Sequence, residues 1–259
     1  MSRFVRGVGA LLVVASVVLG PARAADMTPP SYRPPAVAMP PATYDWTGIY
    51  IGGNLGAGLL KDSISQTGTG TTNLTGGFDL SPIGFIGGAQ AGVNFDFHPL
   101  VLGAEISWTD TDISGSANQL TTTVPPNQER MTSAPLWFAT ATGRIGFAAN
   151  TLLFYAKGGG AWMDVNYTQD QLTTGGATAA SQLIHDHRTG FTAGLGLEYA
   201  MTENLSARLE YDFFGFGTRD YQFSVTPVSV ASNLNALVVG LNYRFNWANG
   251  TAVERCPTC

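Results

Sequence analysis

The stretch from Phe191 to Phe213 reads FTAGLGLEYAMTENLSARLEYDF, two segments of alternating polarity around a short connection. In the first segment the odd positions up to Tyr199 are apolar, and the even positions carry threonine, glycine and Glu198. The second segment repeats this alternation, and Met201–Asn204 joins the two. A period of two residues is that of a β-strand. The stretch therefore predicts a β-hairpin with one apolar and one polar face.

Eight segments of this kind can be marked along the chain. They are Trp46–Leu59, Ile83–Phe97, Val101–Asp110, Leu136–Phe147, Leu152–Val165, Arg188–Ala200, Leu205–Phe214 and Leu234–Phe245. Connections of a few residues alternate with long polar ones at about 60–82, 111–135, 166–187 and 215–233. Short turns that alternate with long loops are typical of an up-and-down outer-membrane barrel. The sequence thus predicts an all-β fold, an eight-stranded antiparallel transmembrane β-barrel with periplasmic termini.

The apolar face of these segments ends in aromatic residues on both sides. Once the strands are placed up and down, one predicted girdle contains Trp108, Trp137, Trp162 and Phe213. The other contains Phe95, Phe147, Phe154, Tyr199, Tyr243 and Phe245. The ten residues from Trp137 to Phe147 span about 25 Å at a strand tilt near 40°, the height of a lipid-facing band. A soluble barrel or sandwich, the alternative, would have no reason to carry aromatics at both rims.

The regions outside these segments fit an exported protein. Residues 1–24 have the layout of a secretory signal peptide, with Arg3 and Arg6 before an apolar run and Ala22-Arg23-Ala24 at its end. That run is too short for the roughly 20 residues of a membrane-spanning helix. Residues 25–43 contain six prolines and predict a periplasmic linker. Residues 44–245 form the predicted barrel, and 246–259 a periplasmic tail.

The composition supports a location in the outer membrane of a Gram-negative cell. Charged residues make up only 12% of the chain, about half the usual share for a soluble domain, and there are 32 glycines. The net charge of −5 argues against nucleic acid as a partner. The two cysteines, Cys256 and Cys259, lie in the final four residues, so no disulfide is expected within the barrel.

If the apolar face meets lipid, the polar face lines the lumen. The inward charges are then Glu105, Arg144, Lys157, Glu198, Arg208, Glu210, Asp212 and Arg244, four cations and four carboxylates. Eight strands leave an interior just wide enough for side chains to fill. We therefore expect a paired polar network that plugs the lumen, in a structural and surface-interaction protein. The alternative is a small porin with a narrow polar pore.

Chemistry-bearing motifs are few, and no catalytic residues are predicted. His185-Asp186-His187 places both histidines on one face of an extended chain, a weak candidate for a metal or haem site because no further ligands are evident. A haem- or metal-binding surface protein is therefore a third hypothesis. Cys256-Pro257-Thr258-Cys259 is formally a C-x-x-C motif, but a tail disulfide is the simpler interpretation.

Several stretches resemble one family. Tyr44–Gly56, Ile83–Gly92, Gly143–Phe147 and Val239–Phe245 are similar to strands of the small alphaproteobacterial outer-membrane β-barrel proteins, the outer-membrane immunogenic and haemin-binding type. The resemblance covers about residues 44–245. It implies an eight-strand barrel of the OmpA-anchor type, with envelope-integrity and surface-interaction roles. Expected partners are lipopolysaccharide, the barrel-assembly machinery, and host or envelope proteins at the long loops. The fourteen residues after Phe245 depart from the family pattern, which ends on an aromatic residue.

Overall fold

The computed structural model describes residues 44–67, 76–120, 128–173, 175–223 and 227–245. The predicted signal peptide, linker and tail lie outside these residues. The described chain forms ten antiparallel strands. They are β1 (Gly48–Gln66), β2 (Phe78–Leu80), β3 (Ile83–Phe97), β4 (Leu100–Thr111), β5 (Gly115–Leu120), β6 (Gln128–Ala149), β7 (Leu152–Leu172), β8 (Thr178–Ala200), β9 (Leu205–Tyr221) and β10 (Val228–Phe245). Within the described residues, the structure contains no helix long and apolar enough to cross a membrane.

Eight of the strands close into a ring. The order is β1-β3-β4-β6-β7-β8-β9-β10, and β10 pairs with β1 from Ile49↔Phe245 to Gln66↔Val228. The short strands β2 and β5 pair only with β1 and β6, outside the ring. Every neighbour in the ring is the next long strand along the chain, so the predicted up-and-down eight-strand barrel is confirmed. We call its two ends the short-turn end and the long-loop end.

The predicted strand limits agree within two residues at the short-turn end, but six of the eight strands extend beyond them at the long-loop end. At the short-turn end, three connections are tight turns: His98–Pro99, Asn150–Thr151 and Met201–Asn204. At the long-loop end, six strands (β1, β6, β7, β8, β9 and β10) continue six to ten residues into stretches expected to be loops, whereas β3 and β4 end within one residue of the prediction. These extensions are rich in Thr, Ser and Gln because their outward side chains meet water rather than lipid. Their polar composition is similar to that of a loop, so the sequence did not distinguish the two.

Beyond the level of Trp162 the ring divides into two sheets that face each other. Flap A consists of β5 and the distal parts of β6, β7 and β8; flap B consists of the distal parts of β9, β10 and β1 together with β2. The two flaps separate between β8 and β9, whose ladder reaches only Phe191↔Gly215. The barrel therefore continues above its closed section as a two-layer arrangement.

An apolar core fills the space between the flaps. Its buried members include Leu60, Ile64, Met131, Val165, Tyr167, Tyr221, Val228 and Val230. A smaller core at the short-turn end contains Trp46, Val101, Leu153 and Tyr155. The inward face is thus predominantly polar only in the closed section, and mostly apolar side chains point inward on either side of it.

The outward face of the closed section is apolar throughout. Large exposed side chains include Leu55, Phe85, Ile106, Ile145, Leu195, Leu209 and Leu241. The predicted girdle residues Trp108, Trp162, Phe95, Phe147, Phe154, Tyr199, Tyr243 and Phe245 are between 44% and 56% exposed. Trp137 stacks on Trp108 with ring centroids 4.2 Å apart, and Phe213 lies 6.0 Å from Phe191. An exposed apolar surface of this extent is compatible with lipid rather than water.

Candidate functional site

The closed section of the barrel contains a cluster of buried charges, which we call the lumen network. It consists of seven of the eight residues expected to line the lumen: Glu105, Arg144, Lys157, Glu198, Arg208, Glu210 and Asp212. All seven lie on inward positions of β4, β6, β7, β8 and β9. Three cations therefore face four carboxylates in a space that solvent hardly reaches.

Glu105 lies at the centre of the lumen network. Its Oε2 atom accepts hydrogen bonds from Arg208 Nη1 at 2.6 Å and from the Tyr50 hydroxyl at 2.7 Å. Its Oε1 atom lies 3.7 Å from Lys157 Nζ. These partners come from β9, β1 and β7, so one carboxylate connects strands around the whole ring.

A second group of contacts forms around Glu210 on β9. This carboxylate accepts hydrogen bonds from Lys157 Nζ and, at 2.6 Å, from the Tyr155 hydroxyl. Lys157 also lies 3.1 Å from Asp212 Oδ2. Lys157 thus meets three carboxylates within 4 Å, which balances most of the desolvation that its burial costs.

Arg144 is held by both charge and aromatic rings. Its guanidinium carbon lies 4.7 Å from the ring centroid of Tyr50 and 5.0 Å from that of Tyr155. Arg144 Nε donates to Asn94 Oδ1 at 2.7 Å, and Nη1 lies 3.4 Å from Glu198 Oε2. A planar guanidinium between two ring faces is fixed in orientation as well as position.

Amide side chains extend the network to the remaining strands. Asn54 on β1 donates to Gln90 on β3 at 2.5 Å, and Gln90 donates to Asn242 on β10 at 2.8 Å. Asn242 then donates to Glu198 on β8 at 2.9 Å. All eight strands of the ring therefore contribute a side chain to connected polar contacts, which explains why these buried groups are tolerated.

Glycines make room for the large inward side chains. A Cβ atom at Gly196 would overlap the Tyr155 ring, and one at Gly92 would overlap the Tyr50 ring. A Cβ at Gly52 would meet the side chains of Asn242 and Gln90. The high glycine content of these strands is thus a packing requirement of the filled lumen.

Arg244, the eighth predicted member, does not join the lumen network. Its guanidinium carbon lies 4.5 Å from the ring centroid of Tyr44 and 5.5 Å from that of Trp46. Its Nη2 atom donates to the Glu203 carbonyl at 2.9 Å. The expected pairing of four cations with four carboxylates is therefore wrong, because aromatic rings at the short-turn end were not considered as partners.

Tyr44 and Trp46 lie across the short-turn end of the lumen. Trp46 was expected to begin the first strand, but β1 begins at Gly48 and Trp46 is 1% exposed. Its Nε1 donates to the Asn150 carbonyl at 3.0 Å, and its backbone N–H donates to Asp96 Oδ2 at 3.1 Å. Burial raises the pKa of the Tyr44 hydroxyl, which donates to the Thr202 carbonyl. Residues before β1 thus cover this end.

A small cavity separates the lumen network from the apolar core between the flaps. Its volume is about 20 Å³, room for roughly one water molecule. Lys157, Arg208 and Asp212 line one side, and Phe138 and Phe214 line the other. The two phenylalanine rings meet edge to face with centroids 5.0 Å apart. A polar layer and an apolar layer therefore follow one another along the lumen.

Comparison with known proteins identifies this architecture. A family model described as "Outer membrane protein beta-barrel domain" matches residues 35–245. The chain belongs to this family. The 31 kDa outer-membrane immunogenic protein of Brucella melitensis is 31% identical over 246 residues, 91% of this chain and 98% of that protein. The 22 kDa outer membrane protein of Rhizobium leguminosarum bv. viciae is 25% identical over 203 residues, 77% and 78% of the two chains.

Among solved structures, OprG of Pseudomonas aeruginosa is similar with a TM-score of 0.47 and 12% identity, over 79% of this chain and 98% of that chain. The family match and the named relatives confirm the resemblance to small alphaproteobacterial outer-membrane barrels. They also confirm the predicted location in the outer membrane.

This outer-membrane barrel contains a second buried charge cluster that sequence analysis missed. Arg188 on β8 is 1% exposed and donates to Tyr167 OH at 3.0 Å, and to the Gly217 and Val230 carbonyls at 2.9 and 3.0 Å. It also donates to Ser232, whose hydroxyl in turn bonds Asp62 on β1. Arg188 thereby connects flap A to flap B. Its even position on β8, the same parity as Glu198, could have revealed it.

The two candidate histidines of this outer-membrane barrel lie on the outward face of flap A. His185 and His187 are both exposed, with ring centroids 6.5 Å apart, and His187 Nδ1 lies 3.5 Å from Asp164 Oδ1 on β7. Asp186 points the other way and accepts hydrogen bonds from Arg219 and Tyr221. In the described part of the chain, no group of three or more His, Cys, Asp or Glu side chains is arranged so that it could hold a metal ion.

Proposed function

We propose that this chain is a structural and surface-interaction protein of the outer membrane, with a lumen plugged by its own side chains and no catalytic role. The observation that carries the proposal is the lumen network, because its contacts run between strands on opposite sides of the ring. An ion would have to break several buried charge-assisted hydrogen bonds to pass, each of which is stronger than a neutral one.

The layers on either side of the lumen network support the same proposal. Trp46, Tyr44 and Arg244 cover the short-turn end, and Phe138 and Phe214 pack across the lumen on the other side. The carboxylates of the network are held by cations rather than directed into a cleft where a substrate could bind. Neither transport nor catalysis therefore has space in the closed section.

We place the short-turn end in the periplasm and the long-loop end outside the cell. Outer-membrane barrels have short periplasmic turns and long outer loops. The flaps would then be displayed at the cell surface, where they could contact lipopolysaccharide and host or envelope proteins. The Brucella relatives are named immunogenic, which agrees with surface display in this family.

Planar-bilayer recording tests the plugged lumen against a small porin. Purified wild-type protein should give no single-channel steps. A variant with Glu105→Ala, Arg208→Ala, Phe138→Ala and Phe214→Ala should give steps, which controls for insertion. Steps in the wild type whose size or ion selectivity changes in Glu105→Gln would establish a pore and overturn the proposal. Loss of the gene should also sensitise cells to detergents, and the wild-type gene should restore resistance.

A further inference from the structure

We propose that His185 and His187 on β8, with Asp164 and Asn166 on β7, form a binding site for a divalent transition-metal ion. The inference goes beyond the structural role proposed above and does not depend on the lumen. The sequence offered only the two histidines. The structure adds a carboxylate and an amide oxygen from the neighbouring strand.

The register of β7 and β8 brings these four side chains together. Asp164 pairs directly with His187, and Asn166 pairs directly with His185. Residues opposite each other in an antiparallel pair have Cβ atoms about 5 Å apart, and residues two apart on one strand share a face. Inward neighbours such as Val165 and Arg188 are buried, so the four side chains share the outward face. The four side chains therefore lie as two adjacent cross-strand pairs on this face.

The two oxygen atoms proposed as metal ligands lack a hydrogen-bond partner. Asp164 Oδ1 and Asn166 Oδ1 are buried atoms with no partner in the structure. The Asp164 side chain is only 10% exposed, and its Oδ1 atom lies 3.5 Å from His187 Nδ1. A buried carboxylate oxygen without a donor is costly. An Nδ1–H of His187 would satisfy Asp164 Oδ1, but the Asn166 oxygen would remain without a donor. A cation between the two strands satisfies both.

In this structure the side chains do not yet form a ligand group, so metal binding requires rotation of both histidines. Their ring centroids lie 6.5 Å apart, and the His187 side chain is 76% exposed, so small side-chain rotations meet little resistance. Zinc binds imidazole nitrogen and carboxylate oxygen at about 2.0–2.2 Å with four ligands. Two nitrogens with two oxygens suit Zn²⁺, Ni²⁺ or Cu²⁺ better than Ca²⁺ or Mg²⁺, which prefer oxygen ligands alone.

The site lies just beyond the lipid-facing band. Asp164 follows Trp162 of the long-loop girdle by two residues, a rise of about 5 Å along the barrel axis at a strand tilt near 40°. Ions from the medium therefore reach it without crossing the acyl chains. With the proposed orientation, the metal would be bound at the cell surface at the level of the lipid headgroups.

Zinc titration of the full mature chain in detergent, with any affinity tag removed, tests the site. Because Cys256 and Cys259 can also bind zinc, all measurements use a Cys256→Ser, Cys259→Ser background. Competition with a chromogenic zinc chelator should give one ion per chain. His185→Ala with His187→Ala should abolish binding, and Asp164→Asn should weaken it roughly tenfold. Co²⁺ in place of zinc should give the visible absorption of a four-coordinate ion.

The matched control is His98→Ala, which removes the third histidine, at a turn of the opposite end, and should leave zinc affinity unchanged. Heat-modifiable gel mobility verifies that each variant is a folded barrel. Equal zinc affinity in the wild type and the double-histidine variant, or no binding in the wild type, would overturn the site. Unchanged affinity in Asp164→Asn would overturn the assignment of ligands from β7.

Discussion

Arg208 on β9 donates a hydrogen bond of 2.6 Å to Glu105 on β4, and these two strands lie on opposite sides of the eight-strand ring. Both side chains are almost completely buried. The pair thus spans the lumen from wall to wall and fixes the separation of the strands that carry it. Burial of such a charge pair costs desolvation free energy. Removal of one partner is strongly destabilising, because the other charge is left buried and unpaired.

Glu105→Gln should destabilise the barrel by about 3–5 kcal/mol, because Arg208, Lys157 and Arg144 would lose a shared buried counter-charge. The midpoint and slope of urea unfolding in lipid vesicles measure the effect. Asp220→Asn, an exposed change on β9, is the control and should stay within about 0.5 kcal/mol of wild type. The double variant with Arg208→Gln should lose less than the sum of the two single changes. Wild-type stability in Glu105→Gln would contradict a dry, paired lumen.

Tryptophan fluorescence should distinguish the residue inside the barrel from those in the lipid. Single-tryptophan variants that keep Trp46 or Trp108, with phenylalanine at the other tryptophan positions, are placed in vesicles of brominated phospholipid. Trp108 is 46% exposed on the outward face and should be strongly quenched, whereas Trp46, 1% exposed, should not. Equal quenching of the two would mean that Trp46 does not cover the short-turn end from within.

Val230→Asp should open the flaps without preventing barrel formation. Val230 is fully buried in the core between the flaps, and an unpaired charge there costs several kcal/mol. The closed section makes separate contacts, so heat-modifiable mobility should persist while proteases cut the distal strands. Ala231→Asp, at the half-buried neighbouring residue, should remain resistant. Full protease resistance in Val230→Asp would show that the flaps do not need this core.

The closed section was predictable because each strand alternates there between apolar residues that face lipid and polar residues that face the lumen. Leu195 and Leu197 face lipid while Glu198 faces the lumen, and the same parity holds on each neighbour. Charge parity therefore identified seven buried network residues. It could not assign partners, because Arg244 is satisfied by two rings and a carbonyl rather than a carboxylate, and ring contacts leave no charge pattern in the sequence.

The flaps were missed because, beyond Trp162, the outward residues are no longer the apolar ones. There the outward side chains meet water and are polar, such as Asn166 and Thr168, while the inward ones, Val165 and Tyr167, are apolar. The alternation persists with its faces exchanged. The sequence analysis required apolar residues at the outward positions of each strand. It therefore interpreted the distal parts of the strands as loops. The ligands opposite His185 and His187 were hidden for the same reason, since strand register is needed to place them.

The boundary of the lipid-facing band can be tested with two leucines of β8. Leu195 and Leu183 both face outward, with 66% and 61% of the side chain exposed, but Leu195 lies midway between Phe191 and Tyr199 while Leu183 lies beyond the girdle. Leu195→Arg should cost about 2–4 kcal/mol because the charge enters the middle of the bilayer, and Leu183→Arg about 0–1 kcal/mol. Urea titration of folding into vesicles gives both values. Because exposure and strand are matched, the difference reports the lipid boundary alone, and equal costs would place that boundary elsewhere on the barrel.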